Sequence, residues 1–178
     1  MPLTSEQDLG EFPTEAFSDV LVANELYART YVEPKMGGTA ARHLAVVTCM
    51  DSRIEPLALL GMKAGDVKIL RNAGARVTDD VLRTLVLAGY LLGVERVLVL
   101  PHTKCKMASV TEGQVHREIK GKFGVETRSM EFRTVQDQER ALADDVVRIR
   151  TNPLLPPGLV VAGAILDIET GRINPVDV

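Results

Sequence analysis

The 178-residue chain contains two cysteines, and each sits in a short cluster of residues able to do chemistry. The first cluster is Cys49-Met50-Asp51-Ser52-Arg53 and the second is His102-Thr103-Lys104-Cys105. Two thiolates and one imidazole suit a zinc ion, by softness and by tetrahedral geometry. Residues 49 and 51 can face one point in extended backbone, and residues 102 and 105 can share a centre across one turn. Cys49, His102 and Cys105 are therefore the candidate zinc ligands. Three protein ligands leave a fourth position, where water would be acidified to a pKa of about 7. Asp51 is an alternative fourth ligand that would close the site, and Arg53 can hold its carboxylate away through a bidentate pair. The plainer alternatives are two buried thiols acting as small hydrophobes and Asp51-Ser52-Arg53 as a capped helix start with a local ion pair.

These clusters need elements to bring them together. Leu44 to Thr48 is an apolar run without alternation, as expected of a strand buried on both faces. Val67 to Leu70 and Arg96 to Leu100 are two more. Between these last two a helix is predicted, capped at Thr78 or Asp79 and closed by Gly93, with Val81, Leu82, Leu85, Val86 and Leu92 at its apolar positions. Strand, helix and strand in alternation imply right-handed crossovers and a parallel sheet. Both clusters directly follow a strand, so they share the carboxyl edge of that sheet, where open α/β folds gather their ligands. Further helices are predicted around 108–122 and 137–150. The final segment reads as a strand, a turn at Glu169-Thr170-Gly171 and a short returning strand. Near the start, residues 1–12 are polar and read as loose. Pro13 and Thr14 open a helix carrying Phe17, Val20, Leu21, Asn24, Tyr27 and Tyr31, which Pro34, Gly37 and Gly38 end.

Length favours one domain, residues 1–178, with residues 1–42 as an N-terminal arm and helix. Hydrophobic residues make up 46% and charged residues 25%, a globular balance. The net charge of -3 lacks the basic footprint of a nucleic-acid binder. No apolar run is long enough to span a bilayer, and the start MPLTSEQDLGEF lacks the features of a secretory signal. A cytoplasmic protein is expected, with no nucleic acid and no membrane as partner. Neither a GxxxxGK[ST] nor a GxGxxG pattern occurs.

CMDSR, then GDVKILRNAGARVTDDVLRTL, then HTKC resembles the β-class carbonic anhydrase family, from about His43 to Met107, and in particular its shorter bacterial members. The resemblance implies a mainly parallel central sheet flanked by helices, an antiparallel edge strand and a protruding N-terminal helix that lies across a partner. It implies Zn²⁺ held by Cys49, His102 and Cys105, with Asp51 and Arg53 as the catalytic dyad. Asp51 would accept a hydrogen bond from metal-bound hydroxide or ligate the metal itself. The reaction would be reversible hydration of carbon dioxide to bicarbonate and a proton, by a homodimer or homotetramer. The sequence departs from the family pattern beside the last cysteine. Glycine usually follows it and an acidic residue precedes it in close relatives, whereas Lys104 and Lys106 stand here. Glycine permits backbone angles that lysine resists, so these lysines either point to solvent or crowd and recharge the pocket mouth.

Other residues have bland and functional readings. Asn72-Ala73-Gly74 shapes the pocket or is a plain turn. Arg71 pairs across a subunit boundary. His43 and His116 are surface or capping histidines or relay protons. Phe17, Tyr27 and Tyr31 are core or interface residues, and Lys120-Gly121-Lys122 is a solvated helix end. Two further functions compete with carbon dioxide hydration: hydrolysis of carbonyl sulfide or carbon disulfide on the same scaffold, and a noncatalytic zinc protein closed by Asp51.

Overall fold

A computed structural model describes residues 12–33 and 37–178 of the chain. Residues 1–12 and the helix-ending Pro34 therefore fall largely outside the described residues. Two compact units are distinguished, Met1–Lys35 and Met36–Val178. The first contains helix α1 (Ser18–Thr30), none of whose residues is buried.

The second unit is built on five strands: β1 (Leu44–Cys49), β2 (Val67–Asn72), β3 (Arg96–Leu100), β4 (Val160–Leu166) and β5 (Ile173–Val176). Their order is β2-β1-β3-β4-β5. The first four are mutually parallel, and β5 pairs antiparallel with β4 along the edge. This is the mainly parallel α/β sheet with an antiparallel edge strand that the sequence predicts. Helices α2 (Pro56–Leu59), α3 (Asp79–Leu91), α4 (Glu112–Phe123) and α5 (Gln138–Arg150) connect the strands.

All six residues of β1 are buried, because β1 lies inside the sheet with apolar layers on both faces. Ala45 and Val47 join Val81, Leu85, Leu142 and Val146 of α3 and α5 on one face. Leu44 and Val46 join Ile54, Leu100, Ala164 and Leu166 on the other. Thr78 caps α3 with its side chain, and Thr111 and Gln114 form a reciprocal capping box on α4. The helix expected from about residue 108 starts later. A short 3-10 turn over Lys106–Ala108 precedes it, and Thr111 fixes the true start.

β1 and β3 run side by side in the same direction, with Thr48 opposite Leu100. Their carboxyl ends therefore coincide. Cys49 closes β1, while His102 lies two residues beyond β3 and bridges in parallel to Leu166 of β4.

Candidate metal centre

The sulfurs of Cys49 and Cys105 and one ring nitrogen of His102 lie within 4.8 Å of one another, and all three residues are buried. The two sulfurs are 3.9 Å apart. The structure thus brings together the three residues singled out by their type. His102 Nδ1 donates to the Thr103 carbonyl at 2.8 Å, since a carbonyl only accepts. That bond fixes the tautomer and leaves a lone pair on Nε2. His102 is 0% exposed, and its Nε2 is buried without a hydrogen-bond partner. A buried acceptor without a partner is costly, and a metal ion among the thiols resolves the cost.

Backbone geometry prepares both sulfurs for negative charge. The nearby backbone N–H groups of Gly74 and Asp51 favour the Cys49 thiolate, and those of Met107 and Ala108 favour that of Cys105. The pair shares a proton. The hydrogen bond from Cys105 holds the Cys49 thiol down to about 4, against burial, with the two backbone N–H groups assisting. The same pairing, together with burial, pushes Cys105 up. Two thiolates and one neutral imidazole match Zn²⁺ in softness, and the ion's charge removes the need for the shared proton.

Asp51 stands beside this donor set without belonging to it. Arg53 grips both carboxylate oxygens, Nε to Oδ1 at 2.9 Å and Nη2 to Oδ2 at 2.7 Å. The Arg53 backbone N–H also donates to Oδ1, at 3.0 Å. These contacts, the side-chain ones first, hold the Asp51 carboxyl well below the usual carboxylate range. Oδ2 still lies 3.7 Å from His102 Nε2. The local ion pair expected of Asp51-Ser52-Arg53 is present and lies beside the candidate metal centre, but no capped helix starts there: α2 begins at Pro56, after Glu55, which makes no side-chain cap. A cleft of about 570 Å³ opens here, bordered by Cys49, Asp51, Arg53, Gly74, Lys106 and Met107.

Gly74 adopts φ +80°, and a Cβ there would meet Met107 at 3.2 Å, so the turn after β2 needs glycine to close against the second ligand loop. Asn72 locks that turn by donating to the Arg76 carbonyl and accepting the Arg76 N–H. It shapes the site through backbone, as one of its two readings held.

The lysine departures resolve differently from each other. Strain was expected after the cysteine, at Lys106, but Lys106 lies in the 3-10 turn and the left-handed backbone falls at Lys104, φ 55°. Lys104 pairs with Glu169 at 2.5 Å, and its carbonyl accepts from Arg53 Nη2 at 3.2 Å. Lys106 is exposed at the cleft edge. Arg71, for which a pairing across a subunit boundary is expected from sequence, donates within the chain to the carbonyls of Cys49 and Asp51. His43 precedes β1, at the opposite end of the strand from Cys49, and bonds the Gly93 carbonyl. His116, on α4, bonds Thr127 beyond the end of that helix. Sequence reasoning missed Gln138, whose amide donates to the His102 carbonyl at 2.8 Å. No local pattern marks a contact spanning 36 residues.

An open parallel sheet with a Cys-His-Cys donor set at its carboxyl edge defines a zinc-dependent α/β enzyme. The carbonic anhydrase family model matches residues 44–173. "Beta-carbonic anhydrase 1" of Mycobacterium tuberculosis is 34% identical over 159 residues, covering 89% of this chain and 96% of the relative. The crystal structure of a carbonic anhydrase from Streptococcus mutans superposes with a TM-score of 0.85 at 33% identity, covering 94% of this chain and 100% of that one. A carbon disulfide hydrolase of Acidithiobacillus thiooxidans is 28% identical over 171 residues, 85% of each chain. The chain belongs to the β-carbonic anhydrase family.

Proposed function

We propose that this protein catalyses the zinc-dependent, reversible hydration of carbon dioxide to bicarbonate and a proton. The observation that carries the proposal is the orphaned Nε2 of His102 between two thiols, with a carboxylate held just outside the donor set. Cys49, His102 and Cys105 are the proposed ligands. When bound, the zinc ion acidifies a water to near-neutral pH and so supplies the nucleophile.

The chain's own residues do the rest. Asp51 is an acceptor only. Arg53 occupies both of its oxygens, yet Oδ2 still faces the donor set. Asp51 can therefore accept one further O–H and turn the oxygen's lone pair toward the substrate. Arg53 keeps the carboxylate from becoming a ligand itself, which would close the site. Gly74 and Met107 give the cleft an apolar side, suited to an uncharged linear substrate.

A second reading, hydrolysis of carbon disulfide or carbonyl sulfide on the same centre, draws support from the similarity to the Acidithiobacillus thiooxidans protein. A noncatalytic site closed by Asp51 fits less well with the Asp51–Arg53 pairing. Stopped-flow hydration of carbon dioxide by zinc-loaded protein, beside assays with both sulfur substrates, separates the three. Turnover of carbon dioxide alone supports the proposal, and its absence with sulfide release refutes it.

Residues 1–178 are read as one catalytic domain with residues 1–42 as its arm. The reading also takes the enzyme as cytoplasmic, since two free cysteines committed to a metal suit a reducing compartment. It takes the assembly as a homodimer or homotetramer, because α1 exposes Val20, Leu21, Leu26 and Tyr27. Light scattering that gives a monomer at micromolar concentration would refute that part alone.

A further inference from the structure

Arg71 stands on β2, at the edge of the sheet, and its side chain reaches across to the end of β1. Nε donates to the Cys49 carbonyl at 2.9 Å and Nη2 to the Asp51 carbonyl at 2.7 Å. Both of its side-chain hydrogen bonds among the described residues go to these two carbonyls. One rigid fork thus ties the backbone of a proposed zinc ligand to the backbone of the proposed dyad carboxylate. Guanidinium is suited to this because its donors are coplanar and fixed relative to one another.

The residues between the two carbonyls are held from the same side. Met50 donates its N–H to the Asn72 carbonyl at 2.9 Å. Past Asp51 the ladder has ended, and the Asp51 carbonyl accepts the Ile54 N–H at 3.1 Å in a local turn. That turn would travel with the loop if the loop swung. Arg71 is what anchors the Asp51 carbonyl to the sheet. Its contact constrains the backbone angle that decides where the Asp51 carboxylate points. With that angle fixed, the carboxylate meets both Nε and Nη2 of Arg53.

We propose that Arg71 is a positioning residue: by bridging the carbonyls of Cys49 and Asp51 it holds Asp51 in register with Arg53 and off the metal. The proposal rests on the roles given above to Asp51 and Arg53. Without Arg71 the 50–53 segment can rotate, the bidentate geometry is lost, and the carboxylate competes for the open metal position. Arg71 bonds backbone carbonyls and none of the proposed donor atoms, so its effect on the open position is expected to pass through Asp51.

The test uses full-length protein loaded with cobalt(II), titrated with thiocyanate as a probe of the open position and followed by visible absorption. Metal content and melting temperature are measured on every variant. Arg71→Gln should keep about one metal per chain and bind thiocyanate about tenfold more weakly, as expected when charge-assisted hydrogen bonds are lost. Arg71→Lys, which keeps the charge but not the fork, should fall between wild type and Arg71→Gln. The double variant Arg71→Gln/Asp51→Ala should bind thiocyanate as Asp51→Ala does, because the competing carboxylate is gone. Wild-type affinity in Arg71→Gln would overturn the proposal, as would effects that simply add in the double variant. Loss of metal from both Arg71→Gln and Arg71→Lys would also overturn it, since the contact would then serve the ligands. Arg53→Gln is the control for the underlying reading. If it too binds thiocyanate as wild type does, the dyad itself fails; if it alone binds weakly, only the role of Arg71 fails.

Discussion

On the proposed reading three side chains and one carboxylate carry the chemistry, and their burial sets how each responds to change. Cys49 and Cys105 are 4% and 5% exposed, so serine at either position leaves a hard, neutral hydroxyl where a soft anion is needed. Cys49→Ser and Cys105→Ser should each reduce zinc from one per chain to a small fraction, read by elemental analysis of purified, folded protein. Full zinc content in both variants would remove the metal centre from this site. Asp51 works at the opposite margin. Its folded-state pKa is depressed by Arg53, so its contribution to stability is present above the ordinary carboxylate value and lost only as pH falls through the depressed one. Asp51 thus stays ionised from pH 6.5 to 9. Over that range hydration should rise with pH, with a midpoint near about 7 or somewhat above, as the nucleophile loses its proton. Arg53→Ala should retain zinc and lose most of that activity, because the carboxylate is released toward the metal. A flat wild-type profile, or near-normal rates in Arg53→Ala, would show that the pair does not govern the site.

At the scale of elements, the sequence was informative where the signal was local. The unbroken apolar run from Leu44 to Thr48 announced a strand buried on both faces, and every residue of β1 is buried. The same reading misjudged β2, whose residues are only partly covered because it forms the sheet edge. Strand order arises from crossovers, and Val67 to Leu70 look the same in the middle or at the rim. The three donors were legible because cysteine and histidine are rare and sat directly after strands. Arg71, Gln138 and the Lys104 carbonyl were not, because each enters through a contact between a side chain and a backbone carbonyl far apart in sequence, which no local pattern marks. Another long-range tie fixes the turn that closes on the site. Arg76, just after Gly74, pairs with Asp145 of α5 at 2.6 Å, the two side chains being 16% and 5% exposed. Removing one member of such a pair leaves the other charged and dry. Asp145→Ala should therefore destabilise the fold by about 3 kcal/mol, read by urea unfolding of the zinc-loaded protein. A change within that of a surface substitution would mean that water reaches Arg76 freely.

At the scale of the whole molecule, the two compact units pose different folding problems. Met36–Val178 encloses two apolar layers around its own sheet and carries every residue of the candidate site. Met1–Lys35 contributes a helix of 13 residues without a buried position. A helix that short is marginal in water by itself. Its apolar side chains are not confined to a stripe: Val20, Val22, Leu26 and Tyr27 are all more than half exposed. Such a surface becomes stable when another surface covers it, and a second copy of the chain always supplies one. Removing residues 1–33 should therefore shift the protein toward monomer in light scattering while leaving about one zinc per chain, since every proposed ligand lies in the other unit. A truncated protein that keeps its assembly state would place the interface elsewhere, on the sheet unit. One that loses zinc together with its assembly would mean that the arm helps to hold the metal centre, and that the two units fold as one.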